Sequence, residues 1–303
     1  MTIAIGATSA IGWKSSSRSV RALSALEAKR YLRRASIWIG LAVTVFFAIQ
    51  VEDWSGGSYA TKIPVCFGPL AFGTYIAAVK SGARDRNGPL PELAPGSPIG
   101  AEGRAIARLA GLVVPVGLSV LAVAVIAIAS RIEGGFWIGD LAGHRTDTAR
   151  HSWIELLEPP LIVAFTGAVG VAAGRAARRL IPLVAGTFFW FVCYGVAWAL
   201  NIPGLHVIAP MQVQPMRVRL SAGVSPLAAP ASWLIERADE YDPARRVLVH
   251  LPTVAGHDIY LLGLIVLWSG FAIRADSGRR LAVLGAITAV AGVAVQLIVS
   301  PYR

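Results

Sequence analysis

Charge is scarce in this sequence. Only 15% of its 303 residues are Asp, Glu, Lys or Arg, where soluble domains carry about a quarter. Cysteine is scarcer still. Cys66 and Cys193 are the only two, and each sits in a long apolar run, which excludes a disulfide framework and a cysteine-based zinc site. The five histidines are spread thinly, and no H-E-x-x-H, C-x-x-C or G-x-S-x-G occurs, so those metalloprotease, dithiol and hydrolase signatures are excluded. The sequence also lacks G-x-x-x-x-G-K-[ST]. Without that loop's backbone cradle and lysine, the chain has no P-loop for nucleotide phosphates, and any ATP hydrolysis belongs to another polypeptide. No repeat of solenoid or propeller period appears, which points to a single domain.

What is abundant is apolar sequence. Hydrophobic residues make up 55% of the chain, and the mean hydropathy is +0.61. An α-helix needs about 20 apolar residues to cross about 30 Å of hydrocarbon. Seven segments qualify as candidates: 36–51, 62–79, 106–130, 153–174, 180–200, 259–273 and 281–299. Backbone groups in lipid must pair within their own segment, so each is expected to be helical. Pro115 should kink the third. The expected fold is therefore an all-α polytopic transmembrane bundle of about seven spans. Residues 1–35 are expected to lie outside the membrane as a cytoplasmic tail, and 36–303 to form one transmembrane domain.

Charge orients it. The segments on one side of this arrangement hold 18 basic and five acidic residues, and those on the other hold 10 and 12. Arginine and lysine concentrate in cytoplasmic loops, which places the N-terminus inside and the C-terminus outside. The net charge of +11 is explained by insertion and by anionic headgroups, so no nucleic-acid partner is expected; the partner surface is the lipid bilayer.

Two connections stand out. The inner one, 80–105, carries turn signals at Asn87-Gly88-Pro89 and Pro95-Gly96-Ser97-Pro98, with room for one short helix between them. The outer one, 201–258, holds seven prolines among short apolar pieces and is expected to be structured. Glu155 and Glu158 lie one turn apart just inside the outer edge of the fourth span. They are either wet at an interface marked by Trp153 or functional groups in an outer pathway. Pro159-Pro160, which follows, would suit a break that lines a cavity. Asp258, immediately before Ile259, is placed to cap the sixth span, with His257 beside it. Gly167, Gly170 and Gly174, and likewise Gly285 and Gly292, permit close helix contact, within the chain or between copies.

Three stretches together resemble a known family. RALSALEAKRYLRRASIWIGL (21–41), ARDRNGPLPELAPGSP (83–98) and SWIELLEPPLIVAFTGAVGVAAGR (152–175) resemble the elbow and first span, the coupling segment and the fourth span of bacterial ATP-binding cassette (ABC) exporter permeases of the second class. The likeness covers about the first two thirds of the chain. It implies a multi-pass subunit of the bacterial plasma membrane, working as a homodimer or beside a second permease. It also implies a separate ATPase subunit that holds ATP and Mg, this chain having no cofactor, metal or catalytic residue of its own. Contacts to the ATPase would fall on Arg84, Asp85, Arg86, Glu92 and Leu93, and the elbow would use Arg21, Glu27, Arg30, Arg33 and Arg34. The family pattern is six spans with both ends inside, whereas this chain reads as seven. On a helical wheel Val20, Leu23 and Tyr31 cluster, but Glu27 falls among them and spoils the apolar face. Two other classes stay open: a membrane-embedded enzyme using His144, Asp147, His151 and Glu155, and a scaffold or sensor binding through the long outer loop.

Overall fold

A computed structural model describes residues 8–50, 64–84, 99–132, 136–139, 145–149, 153–177, 180–191, 205–210, 217–219, 234–236, 247–249 and 251–299. Helices dominate: α1 Thr8–Leu32, α2 Ala35–Gln50, α3 Pro64–Gly82, α4 Ala101–Gly111, α5 Val113–Ile132, α6 Glu158–Ala176, α7 Leu180–Phe191, α8 Leu205–Ile208, α9 Leu251–Ile273 and α10 Asp276–Val299. Two long connections carry small antiparallel ribbons. β1 Phe136–Gly139 pairs with β2 Arg145–Ala149, and β5 Val247–Val249 lies between β3 Arg217–Arg219 and β4 Leu234–Glu236.

Among the described residues, four helical stretches are long and apolar enough to cross a membrane: Ala101–Ala129, Glu155–Ala176, Leu251–Ile273 and Asp276–Val299. A fifth arises if Ser17–Leu32 and Ala35–Ala48, which meet at a 55° bend, are counted as one. At that bend the Trp38 indole N–H donates to Leu32 O at 2.5 Å, which satisfies a carbonyl left open at the end of α1. Between α4 and α5 the helical run breaks at Leu112, whose N–H reaches Leu109 O instead of the carbonyl one residue earlier in the chain. Pro115, three residues on, has no N–H to donate to Gly111 O, and its ring crowds that carbonyl. Where a kink is expected from Pro115, the helical run shows this one-residue interruption at Leu112, and Ala101–Ala129 continues across it as a single candidate span.

The sixth segment differs from the sequence reading. Its helix starts at Leu251, not at 259, with Pro252 in the first turn, where a missing N–H costs nothing. Asp258 is consequently inside α9 and caps nothing, and the connection expected over 201–258 ends about two turns earlier than its composition indicated. Pro159-Pro160 likewise open α6 instead of breaking it: they follow the 3-10 turn Glu155–Leu157 and are buried.

α6 is the central helix. It is the most enclosed of the candidate spans, 67% buried against 22% for Ala101–Ala129 and 28% for Asp276–Val299. The core around it is built of Phe67, Leu70, Ile162, Val163, Val171 and Leu261 with several alanines. α3 runs parallel to α6 at backbone distance: a Cβ on Gly170 would lie 2.7 Å from Ala78 Cβ and 2.8 Å from Tyr75 O. Thr166 Oγ donates to Ala71 O at 3.1 Å on the same seam. α9 and α10 form an antiparallel hairpin. Glycines recur every seventh residue on both, at 256, 263 and 270 and at 278, 285 and 292. A Cβ at Gly285 would sit 2.7 Å from both Gly263 O and Leu267 Cα. A membrane gives no hydrophobic drive between helices, so such small-residue seams supply van der Waals contact instead. Outward faces are apolar: Phe46 and Phe47 on α2, Leu121 and Val125 on α5, and Ile287 and Val290 on α10 are exposed, as a lipid-facing surface requires.

Candidate functional site

Polar chemistry collects at the two ends of the bundle. α6 spans 19 residues, so at 1.5 Å per residue its ends lie about 28 Å apart.

At the N-terminal end of α6, Glu158 is 1% exposed, and His257, from the second turn of α9, is fully buried against it. His257 Nε2 and Glu158 Oε1 are 3.8 Å apart, neighbours across the α6–α9 seam but too far apart for a hydrogen bond. Asp258 and Glu155 are buried alongside, and Trp153 is exposed. The wet-interface reading of the two glutamates is thus corrected: Trp153 meets the surroundings and both carboxyl groups are enclosed. Gln296 of α10 packs over Gly256 and donates weakly to Val207 O and Gly292 O, at 3.3 and 3.4 Å. The Tyr260 hydroxyl donates to Ile208 O at 2.6 Å, which ties α8 to α9. Among the described residues, both oxygens of Glu158 and Asp258, both ring nitrogens of His257 and Gln296 Oε1 have no hydrogen-bond partner. Buried polar groups are rarely left in that state. Two carboxyl groups, an imidazole and an amide oxygen can accept a water, a proton or a ligand's cationic group. Among the described residues, no three His, Cys, Asp or Glu side chains are grouped to hold a metal ion.

At the other end, Glu27 of α1 is 2% exposed. Arg84, two residues beyond α3, and Arg30 both donate to its Oε1, Arg30 at 2.6 Å, and the Ser81 hydroxyl donates to Oε2 at 3.0 Å. Burial alone would push the Glu27 carboxyl up. The Arg84 guanidinium, with Arg30 behind it, outweighs this and holds it below the usual carboxylate range. Tyr31, also buried, lies one turn on, and a Cβ at Gly111 would meet Glu27 Cβ at 2.9 Å and the Tyr31 ring at 3.0 Å. The Glu27 that breaks the apolar face of the wheel is therefore the centre of a three-way junction of α1, α3 and α4. Arg175 at the end of α6 donates to Ala101 O at 2.9 Å, and Ser277 at the start of α10 hydrogen-bonds Glu102. These contacts gather Arg84, Arg175 and the α9–α10 turn at one end.

Of the residues singled out in the sequence, Glu155 and Glu158 come together with His257 and Asp258. Arg84 meets Glu27 and Arg30, while Arg21 and Arg33 stay exposed. Arg34 sits at the bend, its N–H donating to Tyr31 O at 3.0 Å. Asp85, Arg86, Glu92 and Leu93 lie outside the described residues, as do His144, His151 and the Asp147 side chain. His257 and Asp258 are the members of this cluster that the sequence reading placed at a helix end instead of inside α9. The signal that could have found them is the apolar run 251–256 upstream, which continues the helix past them. No protein-family model matches the chain, and neither a curated protein nor a solved structure matches it, so the functional reading rests on this geometry alone.

Proposed function

We propose that the chain is the membrane-spanning permease subunit of an ABC exporter in the bacterial plasma membrane. It crosses seven times with its N-terminus inside, α1 serving as the interfacial elbow. It pairs with a second copy or a second permease above two copies of a separate ATPase that holds ATP and Mg. One observation carries this reading. The buried Glu27 of α1 is bound to Arg84, the residue from which the 85–98 segment departs. A push on that segment reaches α3 and the elbow together. Arg84, Arg104, Arg175, Arg274 and Arg279 share that end, in keeping with a cytoplasmic face. The parallel course of α3 and α6 also suits the alternation of seven spans.

In this scheme ATP-driven closure of the ATPase pair moves 85–98, and Arg84 passes the displacement to α1 and α3. α6 carries it to the enclosed Glu158–His257 cluster, which opens to the outer side as the pathway's polar station. The test replaces Glu92→Ala and Leu93→Ala together and measures substrate-stimulated ATPase activity and assembly of the complex. Loss of stimulation with intact assembly supports the reading. Unchanged coupling removes the segment from the mechanism.

A further inference from the structure

The turn joining α9 to α10 runs against local backbone preference. Arg274 has φ 65°, and its N–H donates to Gly270 O at 3.1 Å. This is the left-handed helix cap that glycine ordinarily fills, because a Cβ is strained there. Among the described residues Arg274 is the only non-glycine with positive φ, and such strain persists where a side chain is needed in place.

The place is the mouth of a groove of about 480 Å³ between the end of α6 and the α9–α10 hairpin. Going inward from the turn, its lining changes character. Arg274 and Arg279 are exposed beside the turn, Phe271 lies about one turn back along α9 and Trp268 one turn further, with buried Ala172 and Ala282 on the facing helices. Glycine and alanine make up much of the rest of the lining, and Phe271 is 49% exposed. Neither guanidinium has a carboxylate partner among the described residues. Two arginines over an apolar slot match an amphiphile with an anionic head and a hydrocarbon chain. We propose that this groove binds one anionic phospholipid of the adjacent leaflet. Its phosphate is held by Arg274 and Arg279, and an acyl chain lies past Phe271 toward Trp268.

The inference stands apart from the exporter reading, since it needs only a bilayer. The full-length protein in neutral detergent is titrated with phosphatidylglycerol, phosphatidylcholine and inorganic phosphate, following its thermal midpoint. Phosphatidylglycerol is expected to raise the midpoint and the other two to leave it in place. Arg274→Gln and Arg279→Gln each weaken that response by about fivefold, whereas Arg280→Gln, one residue beyond the groove, does not. Arg274→Gly is the sharper variant. It relieves the backbone and raises the lipid-free midpoint while losing the lipid response. The proposal is overturned if Arg274→Gly keeps the full shift, if Arg280→Gln loses as much as Arg279→Gln, or if phosphate or phosphatidylcholine reproduces the effect.

Discussion

Glu27→Gln tests the junction that joins α1 to the bundle. The native carboxylate is 3% exposed at its side chain and faces Arg84 at 25% and Arg30 at 41%. The Arg30 pair, between neighbours on one helix turn and well solvated, contributes about 0.5 kcal/mol or less. The Arg84 bond is charge-assisted and enclosed on the acid's side, a class that contributes about 1.5–3 kcal/mol. Glu27→Gln keeps volume but loses the charge, and Arg84 rehydrates in part, so the expected cost is about 2 kcal/mol. Arg84→Met strands a buried carboxylate that keeps only Arg30 and Ser81, at a similar cost. In a double-mutant cycle the combined variant should lose about 2 kcal/mol less than the sum, read by equilibrium unfolding in mixed micelles. The pH dependence has a definite sign. Folding lowers the pKa of Glu27 from its ordinary 4.5, so its contribution is complete above about pH 4.5 and disappears as pH falls through the lower folded value. Glu27→Gln should flatten that acid limb. A coupling below about 0.5 kcal/mol with an unchanged limb would refute the reasoning.

The hairpin seam predicts a contrast between two glycines. Gly285→Val drives carbon into the α9 backbone and should cost more than about 3 kcal/mol in thermal stability. Gly117→Ala, which meets nothing within 4 Å, should gain up to about 1 kcal/mol. Glu158→Gln replaces a carboxyl group buried without a partner and should stabilise the chain by about 1 kcal/mol while lowering transport; a variant both less stable and fully active would contradict its assignment. For topology, Arg280→Cys should react with an impermeant thiol reagent only from the cytoplasmic side and Tyr302→Cys only from outside. Reaction of both from one side would break the seven-span parity.

Much of this was legible where charge and apolar runs agree. The apolar stretch 153–174 reappears as the helical run Glu155–Ala176 because acidic residues bound it at one end and arginine at the other. The segment at 259 failed for the opposite reason. A hydropathy boundary treats His257-Asp258 as a helix end, yet packing against Glu158 and Gln296 buries both inside α9. For Glu27, a helical wheel registers only a break in the apolar face, whereas a partner 57 positions away makes it a fixed point. Pairings across such separations leave no mark in local periodicity. The seven-residue glycine spacing within 256–270 and again within 278–292 is a pattern that the sequence does display. The sequence reading singled out Gly285 and Gly292 alone, because a helix begun at 259 leaves Gly256 outside it and one begun at 281 leaves Gly278 outside, so neither triplet is complete.

The two polar ends need a stiff connection if one is to act on the other, and the α3–α6 seam supplies it. Long side chains between helices can change rotamer and absorb a displacement of an ångström. Backbone set against backbone has no such layer. A Cβ on Gly82 would overlap Val171 O and one on Gly174 would overlap Val79 O, so the pair moves as one body. Gly174→Ala should therefore separate the helices near Arg84 while leaving Glu158 and His257 untouched in sequence. If motion is passed along this seam, the variant weakens the effect of ATP on labelling of a cysteine placed at Trp153, with ATPase assembly intact. An undiminished effect would mean that the ends are linked through the α9–α10 hairpin instead, where Gly263→Ala would then be the substitution that disconnects them.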